Sequence, residues 1–174
     1  HPVFPFRNDP GSARLAPMKE PAPTVRIDNH LINSLYTDAM LLADEARAYF
    51  DEIGRQDQRG LDPMARVSFS CESLKVTTRL MHIIAWLLTR RAVLAGDLTE
   101  QDALAPSRRL GPGPVSDGEA VARMPDAAQA LVQASIDLHR RVALQDAALA
   151  RAQEAAPSNI SPARAMLDRL SGAF

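Results

Sequence analysis

A chain of 174 residues and 18.9 kDa with 46% hydrophobic residues is sized for one domain around a single core. Its 20 Lys+Arg against 21 Asp+Glu leave a net charge of -1, which removes bulk electrostatics as a reason to bind nucleic acid or an anionic membrane. A single cysteine excludes an internal disulfide, no secretory leader pattern opens the chain, and the most apolar run, Leu80 to Leu88, is broken by His82 and bounded by Arg79 and Arg90, so a soluble cytoplasmic protein is expected.

In chain order, residues 1–17 precede Met18 without periodicity and read as an appended leader, followed by a flexible N-terminus at 18–28. From Asn29 to Ile53, Leu31, Leu35, Ala39, Leu42, Ala46, Tyr49 and Ile53 recur in steps of three and four, the signature of one helix face, with Gly54 as its expected stop. Asp62-Pro63 supplies an N-cap and a first-turn proline for a second helix running to about Ala95, with Gly96 as C-cap. Thr99 to Asp102 resembles a capping box that opens a short helix ended by Pro106. The Pro- and Gly-rich stretch from Pro106 to Gly118 reads as a flexible loop, with the whole connection at 106–124 taken as mobile. A third helix is expected from about Pro125 to Ala155, with Ala127, Leu131, Ala134, Leu138, Val142, Leu149 and Ala152 on one face and Pro157 closing it. The tail at 157–174 carries Met166, Leu167, Leu170 and Phe174, enough for a short amphipathic helix that folds on a partner. No strand pattern intervenes. The expected fold is all-α, an antiparallel three-helix bundle over 29–156.

The second helix carries two apolar stripes. Met64, Val67, Cys71, Leu74, Thr78, Met81, Ala85, Leu88 and Ala92 are spaced alternately by three and four and are assigned to the bundle core. Phe69, Val76, Leu80, Ile83, Leu87 and Leu94 lie on the opposite side and are assigned to the interface of a symmetric homodimer. Cover by a fourth helix from the same chain is the alternative.

No catalytic constellation emerges. His30, His82 and His139 sit on separate elements, outside any paired-ligand motif, and read as solvated or hydrogen-bonding residues. Cys71, on the assigned core seam, packs as a small hydrophobe. Trp86 falls between the stripes, as a half-buried packing residue or a partner anchor. Gly111 to Gly118 lacks the spacing of a phosphate cradle, and the pairs Arg90-Arg91, Arg108-Arg109 and Arg140-Arg141 read as solvated faces, as do Asp44, Glu45, Asp51 and Glu52. No metal, cofactor or nucleic-acid partner is expected.

The strings LYTDAMLLADEARAYFDE (Leu35 to Glu52) and ESLKVTTRLMHIIAWLLTRRAVLAGDLT (Glu72 to Thr99) resemble the hallmark segments of the RcdA family, the regulators of CtrA degradation. The resemblance spans residues 31 to 105; beyond Pro106 only the general features agree. It implies a dimeric helical adaptor, not an enzyme, that delivers cell-cycle regulators such as the response regulator CtrA to the ClpXP protease. Its implied partners are a CpdR-like receiver protein that primes the protease, a PopA-like adaptor and CtrA-like cargo, with concentration at the cell pole compatible with that role. A structural dimerisation module and a DNA-associated regulator are the competing readings.

Overall fold

The computed structural model describes residues 28–156; the leader at 1–17, nearly all of the segment at 18–28 and the tail at 157–174 lie outside them. Helix α1 spans Asn29–Ala48, where the Asp28 side chain accepts from the His30 amide at 3.1 Å. The helix does not stop at Gly54 as expected. It widens into a π-turn over Tyr49–Ile53 and continues as α2, Gly54–Gln58, with Gly54 at φ −60°. The missing side chain serves packing instead, because a Cβ there would lie 3.0 Å from Phe69 Cζ and 3.1 Å from the Tyr49 carbonyl oxygen. Tyr49, Phe50 and Phe69 meet around this contact. The Tyr49 hydroxyl donates to Asp57 at 2.9 Å; burial, with that carboxylate beside it, pushes its pKa up to about 12.

Helix α3, Pro63–Ala95, has the ends its sequence signals: Asp62 accepts from the Ala65 amide at 2.9 Å, Pro63 opens the first turn, and Gly96 closes it at φ 82°. Thr99 caps α4, Glu100–Ala103, and a 3₁₀ turn follows over Pro106–Arg108. Asp117 caps α5, Gly118–Ala122, before α6 runs over Asp126–Ala155.

The three long helices enclose one core, built from Ile32, Leu35 and Ala39 of α1 and Ala128, Leu131, Val132, Leu138, Val142 and Leu149 of α6, so that the inward face of α6 turns to Ala128 and away from the exposed Ala127. From α3 the core takes Phe69, Val76, Leu80, Ile83 and Leu87. This inverts the two stripes. Five of the six residues assigned to a dimer interface are buried within one chain, and only Leu94 is left 45% exposed. Conversely Met64, Val67, Cys71, Leu74, Met81, Ala85 and Leu88 of the assigned seam face outward. The physical reason is that the true core face also carries Glu72, Arg79 and Arg90, all buried, which dilute its apolar character and leave the outward stripe looking the more regular of the two.

Direction also differs from the expectation. Helix α1 is antiparallel to α3, since Tyr36 lies under Arg91 and Phe50 meets Phe69. Helix α6 runs parallel to α3, pairing Ser135 with Arg79 and Asp146 with Trp86. A parallel third helix requires the connection to travel back along the whole of α3, roughly 50 Å. The segment expected to be a flexible loop is therefore a strap laid against the bundle.

Candidate protein-interaction surface

The strap is held from below at successive levels. Arg109 donates to Asp146 at 2.8 Å, and the same carboxylate accepts from the Trp86 indole at 2.8 Å. Gly111 lies against the His82 ring and Gly113 against the His139 ring, where a Cβ would come within 3.2 Å. His139 Nε2 is 3.1 Å from the Gly111 carbonyl oxygen. Arg79, 2% exposed, donates to the Pro114 carbonyl at 2.8 and 3.2 Å, to Ser135 Oγ at 3.1 Å and to Ser116 Oγ. Glu72, 1% exposed, accepts from Ser116 Oγ, the Asp117 amide and Lys75 Nζ.

These charges are buried and yet satisfied, which is the condition for tolerating them. Burial pushes the Glu72 carboxyl up, but the bonds from Lys75, Ser116 and Asp117 outweigh it and hold it below the ordinary carboxylate range. Burial lowers Arg79, with Glu72 partly opposing, while the Asp146 bond raises Arg109. Burial also lowers His139; the Gly111 bond opposes this and the nearby His82 and Arg79 add to it.

Helical geometry places Glu72, Arg79 and Trp86, with Lys75 and His82, on one flank of the outward stripe of α3. The strap lies along that flank and α1 borders the other, where Arg91 sits 4.6 Å above the Tyr36 ring. Between them runs the stripe from Met64 to Ala92, with Leu74 67% and Met81 65% exposed. A contiguous apolar seam of this length on a folded chain is the physical mark of an interaction surface. On the strap, Val115 follows the Pro114 carbonyl that Arg79 holds and is 86% exposed.

Sequence reasoning misplaced several residues of this region. Cys71 is exposed on the outward stripe, not in the core. Trp86 is buried, not half-buried, with its indole bonded to Asp146. Of the arginine pairs read as solvated faces, Arg90 is buried against Glu100 at 2.6 Å and Arg109 is held by Asp146, whereas Arg91, Arg108, Arg140 and Arg141 are exposed. Glu72, Ser116, Ser135 and Asp146 went unremarked, since partners 37 to 60 residues apart leave no local pattern. His30 is exposed, as are Asp44, Glu45, Asp51 and Glu52. The tail residues Met166, Leu167, Leu170 and Phe174 lie outside the described residues. Among the described residues, no group of three or more His, Cys, Asp or Glu could hold a metal ion, and no helix is long and apolar enough to cross a membrane.

Residues 24–174 match the family described as protein of unknown function DUF1465. Among solved structures the chain is similar to the crystal structure of RcdA from Caulobacter crescentus CB15, at 30% identity and a TM-score of 0.58, covering 73% of this chain and 95% of that one. No curated protein matches the chain.

Proposed function

The chain belongs to the DUF1465 family, that of RcdA, and from this premise we propose that it is a non-enzymatic adaptor of regulated proteolysis. On this reading two copies associate, and the pair holds protein cargo beside the ClpXP protease. Cargo would be cell-cycle regulators such as a CtrA-like response regulator, with a CpdR-like receiver protein priming the protease and a PopA-like adaptor bringing in cargo. The site of action would be the cytoplasm, with concentration at the cell pole.

The observation that carries the reading is the outward stripe of α3, apolar over most of a 33-residue helix and left exposed at Met64, Val67, Leu74, Met81 and Leu88 among the described residues. A second copy covers it in the self-complementary way that a two-fold interface requires. The tail, with Met166, Leu167, Leu170 and Phe174, is assigned to docking, so that a weakly recognised substrate is kept at high effective concentration near the protease.

Retention on immobilised ClpX, with and without a CpdR-like receiver protein, tests the proposal. The adaptor reading expects retention that depends on the receiver, and loss of cargo degradation without loss of self-association when residues 158–174 are removed. A chain that self-associates but is never retained is a structural dimerisation module instead.

A further inference from the structure

The strap between Arg109 and Asp117 is neither helix nor strand, yet it is regular. No turn or bend interrupts residues 110–117, and among the described residues none from Arg109 to Ser116 makes a backbone-to-backbone hydrogen bond. Pro112 and Pro114 fix their own φ at about −65° and push the residues before them, Gly111 and Gly113, toward extended ψ. Neither glycine takes the positive φ that Gly96 adopts, and Arg109 enters the segment at φ −71° and ψ 155°. This is the backbone of a polyproline II helix, which has about three residues per turn and no internal hydrogen bonds.

A period of three also orders its contacts. Gly113 lies against the His139 ring and Ser116, the next residue in that row, reaches Arg79 and Glu72, so this row faces the bundle. The carbonyls of Gly111 and Pro114, spaced in the same way, are held by His139 and Arg79. The remaining row, Pro112 and Val115, is exposed. A flat strand, whose side chains alternate, would place Val115 on the side of Gly113 and Pro112 on the side of Ser116, which these contacts contradict. Glycine is required at 113 for this seating, since a Cβ there would come within 3.2 Å of His139.

We propose that the strap is a polyproline II ligand, presented ready-formed to a partner protein whose groove is lined by aromatic side chains, whether or not two copies pair along α3. Pro112 and Val115 stand roughly 9 Å apart along the strap, the i, i+3 ridge that such grooves grip between their rings. A free peptide of this composition loses conformational entropy on docking. Here Arg79, Glu72 and His139 hold the strap in shape beforehand, which lowers that cost. Pairing with an added strand is closed to this segment, because Pro112 and Pro114 bring no N–H to a ladder. The two ends differ in charge: Arg108 is exposed before the ridge, and Asp117 and Glu119 are exposed after it. The fitting partner therefore carries carboxylates beside the Arg108 end of its groove and reads the strap in one direction.

An isolated SH3 domain with acidic residues beside its aromatic groove serves as the probe, added to the isotope-labelled full-length chain and followed by amide shifts. Saturable binding is expected, with the perturbed amides confined to residues 107–119. Pro112→Ser with Val115→Ser removes the ridge at exposed positions without touching the anchors beneath. Circular dichroism should therefore be unchanged while affinity falls about tenfold or more. Arg108→Glu should also weaken binding, by a factor that shrinks as salt is raised. Absence of saturable binding, an affinity unchanged in the double variant, or perturbed amides along the outward stripe of α3 in place of the strap would overturn the proposal.

Discussion

Arg79 is the residue on which most of the molecule's unusual features converge. Its guanidinium fixes the strap through Pro114 and Ser116 and ties it to α6 through Ser135. Replacing Arg79 with Met removes these bonds together and leaves Glu72 buried with less compensation, so unfolding in urea should show a loss on the order of 3 kcal/mol. Because a buried charge network is costly chiefly when half-removed, adding Glu72→Leu should recover part of that loss. His139 sets a pH dependence. Its folded pKa lies below the ordinary histidine value, so between the two values the unfolded chain binds more protons than the folded one and stability rises with pH. The stability it contributes is complete above about pH 6.5 and is lost as pH falls from there through the folded pKa. Hydrogen exchange of the strap amides should accelerate over that interval beyond its intrinsic pH dependence, with His82, Arg79 and the Gly111 carbonyl as the groups facing the ring, and His139→Gln should remove the effect.

At the scale of elements, the helix ends were legible because capping is local: Asp62, Pro63, Gly96 and Thr99 act within a few residues of themselves. The continuation through Gly54 was not, since the π-turn and the contact with Phe69 arise from tertiary packing. The faces of α3 were both visible as apolar stripes, but which one turned inward depended on Glu72, Arg79 and Arg90 finding partners in distant segments. One clue was present: a strict three-four spacing is the narrow seam of a helix pair, whereas a bundle core wants the broader face that holds Phe69, Ile83 and Trp86. The two faces should respond oppositely to truncation. Leu87→Ala should cost about 2 to 5 kcal/mol in thermal or chemical unfolding. Leu74→Ala should leave the intrinsic stability of one chain within about 0.5 kcal/mol and act on association alone. Equal losses at the two positions would show that the outward stripe is covered within the chain.

For the whole molecule, the all-α class and the three long helices followed from periodicity, whereas the parallel course of α6 did not, because it depends on how the strap crosses back along α3. That crossing occupies one flank of α3 and leaves the stripe beside it open, so the fold that buries the core face also presents the outward one. Whether that stripe joins two copies therefore decides how the molecule assembles. Sedimentation equilibrium of the full-length protein beside a Leu74→Glu, Met81→Glu double variant decides it, with circular dichroism recorded on both. We predict twice the 18.9 kDa chain mass for the unmodified protein, and a single-chain mass with undiminished helical signal for the variant, whose like charges would meet across the two-fold. An unmodified protein of single-chain mass, or a variant that remains dimeric, would contradict it.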